Sequence, residues 1–134
     1  MTRQFVIQLD NRPGELAHVA RALAARGIDI EHISCAGTGT IACAFMTTGE
    51  DAETRDVLKG LGHDFIEGET IVVDVEDQPG GLGDIAQKLA DAGVNILGVL
   101  EVGRREGIKE IALAVDDPVK AKQVISAAQL AGIG

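Results

Sequence analysis

The chain has 134 residues, 46% of them apolar and only 2% aromatic, and a formal net charge of −9. That length makes one domain or two very small ones, and each half alone has a marginal core, since a 60-residue domain buries only about 60% of its unfolded surface. The negative charge disfavours phosphate backbones and anionic membranes, the lack of Trp and Tyr leaves little for base stacking, and no run approaches the roughly 20 apolar residues of a membrane span.

Residues 5–9 are short, β-branched and partly alternating, which reads as a strand. Residues 10–13 interrupt it. A helix starts near Gly14 with Leu16, Val19, Ala20 and Leu23 on one stripe, and Gly27 closes it in the left-handed conformation that helix ends favour. Residues 28–35 read as a second strand, 37–39 as a turn and 40–47 as a third strand. Residues 50–61 form a short helix with Val57, Leu58 and Leu61 on its apolar side, and 64–67 a fourth strand. The order is β-α-β-β-α-β, a ferredoxin-like split unit.

Residues 9–33 then return, without a gap, at 75–99. Pro13/Pro79, Gly14/Gly80, Leu16/Leu82, Ala20/Ala86, Leu23/Leu89, Ala24/Ala90, Gly27/Gly93 and Ile30/Ile96 are identical. Self-similarity at a fixed spacing marks one supersecondary unit used twice. The second copy has a strand at 70–75 and a helix at 81–92 whose stripe is Leu82, Ile85, Ala86 and Leu89. Strands at 94–102 and 108–115 follow, joined by the charged tip 103–107. Asp117 caps a last helix with Pro118 in its first turn and Val119, Val124, Ile125 and Ala128 facing inward.

Residues 131–134 are too short and glycine-rich for a good final strand. Strand 70–75 is therefore expected to have an open edge of the kind proteins cover. The cover is either the 64–67 segment, turned back through Gly68-Glu69, or another chain. The fold expected is α+β. Two ferredoxin-like βαββαβ modules, residues 1–68 and 69–134, the second lacking a clear last strand, carry antiparallel sheets with helices on one face and pack side by side as an intrachain pair.

Asn11-Arg12-Pro13-Gly14-Glu15-Leu16 between a strand and an amphipathic helix, followed by Gly27-Ile28-Asp29-Ile30-Glu31, resembles an ACT domain. Asp77-Gln78-Pro79-Gly80-Gly81-Leu82 through Gly93-Val94-Asn95-Ile96 resembles it again. The likeness covers nearly the whole chain. It implies regulatory modules that bind an amino acid where paired modules meet and alter an attached or associated enzyme. The ligand-binding positions it implies are Asn11, Pro13, Gly14, Glu15, Leu16, Asp29 and Ile30, with Asp77, Pro79, Gly80, Gly81, Leu82, Asn95 and Ile96 in the second copy. It further implies cross-module pairs, Asn11 with Asn95 and Asp77 with Asp29.

The Pro-Gly turns support that reading on physical grounds. A helix start leaves backbone N–H groups without partners and carries partial positive charge, so a carboxylate is stabilised there. Gly14 and Gly80 let a ligand approach the backbone, and Pro13 and Pro79 stiffen the turn. A Pro-Gly pair is equally a good strand-to-helix turn, and Asn11, Asp29, Asp77 and Asn95 also read as solvated turn residues. Two amides accept from an ammonium and donate to a carboxylate, so the Asn11/Asn95 site is expected to take an amino acid. Two aspartates repel a carboxylate, so the Asp77/Asp29 site is expected to be weak, silent or cation-tolerant. An inner wall of Leu16, Ile28, Ile30, Leu82, Val94 and Ile96 points to a small or branched apolar side chain.

No catalytic constellation is present. His18, His32 and His63 lack a matching nucleophile, His18, His32 and Cys35 lack a metal-ligand spacing, and no cofactor motif occurs. Cys35 and Cys43 form no CxxC pair and are expected to be reduced core thiols. The chain enters a strand at once, with no room for a signal peptide, so a cytoplasmic protein is expected. The function expected is amino-acid sensing without catalysis, by a homodimer acting on a separate metabolic enzyme or regulator and binding neither nucleic acid nor membrane. The alternative is a ligand-independent interaction subunit of a metabolic enzyme, similar to the acetolactate synthase small subunit, which also carries ACT modules.

Overall fold

The computed structural model describes residues 3–125 and 130–131. The chain divides into two compact units between Gly68 and Glu69.

The first unit runs β1 (Arg3–Asp10), α1 (Glu15–Ala25), β2 (His32–Thr38), β3 (Ile41–Thr47), α2 (Asp51–Leu61) and β4 (Phe65–Glu69), the last residue of β4 falling just past the division, with sheet order β2-β3-β1-β4. Alternation along the strands decides which face is covered. Phe5, Ile7 and Leu9 on β1 and Ala42, Ala44 and Met46 on β3 share a core with Val19 and Leu23 of α1 and Val57 and Leu58 of α2. Each large side chain buried there contributes about 1.5–3 kcal/mol. Phe65 closes the core at β4, its ring tilted against Phe5 with centroids 6.0 Å apart.

The second unit repeats the order as β5 (Ile71–Glu76), α3 (Gly81–Asp91), β6 (Ile96–Arg105), β7 (Ile108–Val115), α4 (Pro118–Val124) and β8 (Leu130–Ala131), with sheet order β6-β7-β5-β8. Its core joins Ile71, Val73 and Val75 to Ile85 and Leu89 of α3, with Ile111, Leu113 and Val115 on β7. Both main helices end alike. Gly27 and Gly93 have φ of 70° and 76°. Ile28 N donates to Leu23 O and Gly27 N to Ala24 O, and Val94 N donates to Leu89 O and Gly93 N to Ala90 O, the paired bonds of a Schellman ending.

Several expectations need correction. The edge of β5 is covered by the chain's own end, with Val72 beside Ala131 and Val73 beside Leu130. The 64–67 segment does not cover it, because β4 belongs to the first sheet, next to β1. β2 begins at His32 rather than at 28, since Ile28 N is spent on the helix ending and Ile28 is buried in the core. Gly37 and Thr38 lie in β2, and 103–105 lie in β6, which lengthens through register shifts at Ile96/Gly98 and Glu101/Gly103.

Val119 is 69% exposed. Ala121 is the buried residue of the seven-residue α4, Val124 at its end and Ile125 just past it pack on the core as expected, and Val119 lies two positions before Ala121, on the other side. Ala128 lies outside the described residues. Cys35 and Cys43 are exposed. The first is on the edge strand, and the second alternates with the buried Ala42 and Ala44 and so faces away from the helices. Leu16 and Leu82, at 41% and 47% exposure, lie outside the stripe that α1 and α3 bury, which starts at Val19 and Ile85.

Candidate functional site

The two duplicated strand-to-helix turns, before α1 and α3, each end on a glycine with a left-handed backbone, Gly14 at φ 89° and Gly80 at φ 90°. An added Cβ would meet nothing within 4 Å at either, so the dihedral angle, not crowding, requires glycine. A glycine has no side chain to cap the first turn, and no side-chain cap is made at either helix start. Gly81 differs. An added Cβ there would run into the Glu76 carbonyl and the Val75 side chain, so it serves close packing where the first module has Glu15.

In the first module Asn11, Pro13, Gly14, Glu15 and Leu16 are brought together by the turn. Asn11 N donates to Thr40 O and Asn11 Nδ2 to Gly39 O, both at 3.0 Å, which ties the turn to the β2–β3 hairpin. Arg12 Nε donates to Glu15 Oε1 at 3.0 Å, and the Glu15 side chain is largely buried. A cleft of about 370 Å³ opens beside this helix start, lined by Gln8, Asp10, Glu15, His18 and His63 among others. His63 Nε2 is buried there without a hydrogen-bond partner among the described residues. The same place in the second module has a cleft of about 710 Å³, lined by Asp74, Glu76, Gly81 and Asp84 among others.

The second turn is tied by charge. Asp77 N donates to Gly107 O at 3.0 Å. The Asp77 carboxylate meets Arg104 Nη1 and Lys109 Nζ, each at 3.3 Å. Arg104 also donates to Glu101 Oε1 at 2.8 Å, and that hydrogen bond holds the Glu101 carboxyl below its ordinary range. Asp77 is therefore not the bare aspartate that the sequence implied. Arg104 and Lys109 escaped sequence reasoning because Arg104 reads as part of an exposed tip. Its place on β6 depends on the bulge at Glu101/Gly103.

Asp29 and Asn95 lie beyond the far ends of α1 and α3, and both are exposed. Asn95 N donates to Asp116 Oδ1 at 2.9 Å. Ile30 and Ile96 are partly buried against the cores of their own modules. A helix of 11 residues is about 16 Å long, so Asn11 and Asp29 do not meet within the first module, nor Asp77 and Asn95 within the second. Among the described residues, no group of three or more His, Cys, Asp and Glu is placed to hold a metal ion, and no helix is long and apolar enough to cross a membrane.

The ACT domain family matches the chain twice, over residues 4–61 and 70–128. Among solved structures, a protein from Bacteroides thetaiotaomicron aligns with a TM-score of 0.69 at 18% identity, over 92% of this chain and 86% of that one. The ligand-free regulatory subunit of aspartate kinase from Thermus thermophilus aligns with a TM-score of 0.60 at 20% identity, over 92% and 85%. The regulatory subunit of aspartate kinase from Thermus flavus gives 0.60 at 22% identity, over 84% and 81%. Likeness at these identities is likeness of fold. No curated protein matches the sequence. Each half of the duplication carries the family's strand, glycine turn and helix under its own match, so this chain belongs to the ACT domain family as a tandem pair of ACT domains.

Proposed function

We propose that the chain is a non-catalytic regulatory protein that binds a small amino acid where ACT modules meet and acts on a separate partner. The observation that carries this reading is the first turn, where an uncapped helix start follows Asn11, whose carboxamide is held on Gly39 O. The start favours a carboxylate, and a carboxamide can both accept from an ammonium and donate to a carboxylate. Asn95 of the second module is the proposed partner of Asn11 across the ligand, and Asp29 that of Asp77. The likeness to aspartate kinase regulatory subunits supports a metabolic enzyme as the partner in trans. A cytoplasmic homodimer is the proposed working form, and the proposed module boundary is the one between residues 68 and 69.

The test is thermal unfolding of the wild type and of Asn11→Ala with each proteinogenic L-amino acid. One of them should stabilise the wild type by about 2.7 kcal/mol when present at about 100 times its Kd. Asn11→Ala should lose most of that gain, and unchanged binding would remove Asn11 from the site. Stabilisation by none would favour the second reading, a ligand-independent interaction subunit. The feature on that side is β2, an edge strand whose seven residues are all exposed and which carries neither the Lys nor the Pro that commonly guards an edge.

A further inference from the structure

Gly37 on β2 pairs with Ala42, which pairs with Leu9 on β1. Arg104 on β6 pairs with Lys109, which pairs with Val75 on β5. Leu9 and Val75 are equivalent in the duplication, so Gly37 and Arg104 occupy one structural position. Both modules bring the polar residue of the turn, Asn11 or Asp77, against that position, and they fill it with opposite chemistry.

In the second module Arg104 reaches Asp77 through an ion pair. In the first there is no side chain. A Cβ added to Gly37 would fall 2.5 Å from Asn11 Oδ1, 2.7 Å from Cγ and 2.9 Å from Nδ2. Gly37 is not among the glycines with positive φ, so its strand backbone suits any residue. Room for the carboxamide is what demands glycine here. The carboxamide lies flat on the strand, with Nδ2 donating to Gly39 O, and none of the described hydrogen bonds uses Oδ1.

We infer that Gly37 is a positioning residue for ligand binding at the first turn: its missing side chain lets β2 hold the Asn11 carboxamide in the orientation that meets the ligand. Arg104 does the corresponding work on Asp77 by charge and keeps that carboxylate occupied, so the first turn is the one open to a neutral amino acid. The inference rests on the proposed reading of the turns as amino-acid sites.

Gly37→Ala isolates the effect. The added methyl displaces only the end of one exposed side chain, and alanine is no worse than glycine in a strand. In ¹⁵N–¹H spectra of the full chain, the side-chain NH₂ pair of Asn11 should move while the Leu23 and Leu58 core amides stay in place. An unmoved Asn11 pair overturns the inference, whatever the ligand does. With the amino acid that stabilises the wild type most, Gly37→Ala should weaken binding about tenfold, the loss of one hydrogen-bonded contact to a charged group. Added to Asn11→Ala, it should cause no further loss, because the residue through which it acts is gone. Undiminished binding in the single variant, or a further loss in the double, overturns the inference. Failure of every amino acid to bind the wild type sinks the functional proposal and, with it, the ligand-binding role of Gly37. The Asn11 resonance then still decides whether Gly37 orients that side chain.

Discussion

The glycines that open α1 and α3 are held at φ 89° and 90° with open space where a Cβ would stand. Their replacement therefore isolates a backbone effect from a packing effect. A left-handed conformation costs an L-residue about 1–2 kcal/mol. Gly14→Ala should destabilise the protein by about that amount in urea unfolding, and Gly14→Asn by less, because asparagine tolerates the left-handed region. Equal losses would mean that something other than φ selects glycine. The turn itself was legible, since Pro-Gly before an apolar stripe announces a strand-to-helix corner. Access for a ligand is the reason the sequence offers for glycine, whereas the backbone angle is the reason the structure supplies. Gly37 was not legible as a partner of Asn11, because that contact depends on strand register. Asp77 looked electrostatically exposed for the same reason: its cations, Arg104 and Lys109, arrive from a distant hairpin.

Among the elements, β4 is fastened to α2 and β1 by one carboxylate. Arg55 donates to both oxygens of Glu67, at 2.6 and 2.7 Å, and Arg3 adds a third bond at 3.0 Å. The hydrogen bonds from Arg55 lead in holding the Glu67 carboxyl below its ordinary range, against the opposing effect of burial. A carboxyl with a lowered folded pKa adds stability above its unfolded pKa, about 4.3, and loses it as pH falls through the folded value. The melting temperature of the wild type should therefore fall in acid more steeply than that of Glu67→Gln, with the difference between them largest at neutral pH and shrinking below about pH 4.3. Parallel curves would mean that the three side chains are not coupled in solution. The main helices and strands were legible because period 3.6 and period 2 leave distinct apolar patterns and glycines mark the ends. β8 was not legible, since its two residues carry no periodic signal and are placed by pairing to Val72 and Val73. The start of β2 was misread because Ile28 is apolar for the core rather than for a strand.

At the scale of the molecule, duplication gives two modules whose buried cores, among the described residues, share no residue. Leu23 and Leu89 are equivalent, fully buried, and each central to its own core. Truncating a buried leucine costs about 2–5 kcal/mol, lost transfer energy plus the cavity left behind. A module of this size has only about 3–10 kcal/mol of stability to lose. Leu89→Ala should consequently open β5 and α3 to hydrogen exchange while β1 and α1 keep most of their protection, and Leu23→Ala should do the reverse. Mass spectrometry of exchanged peptides separates the two patterns. Loss of protection in both halves from either substitution would mean that the pair unfolds as one cooperative unit. In that case a ligand held at the Asn11 turn would stabilise residues 71–115 as well, and regulation would engage the whole chain rather than a single module.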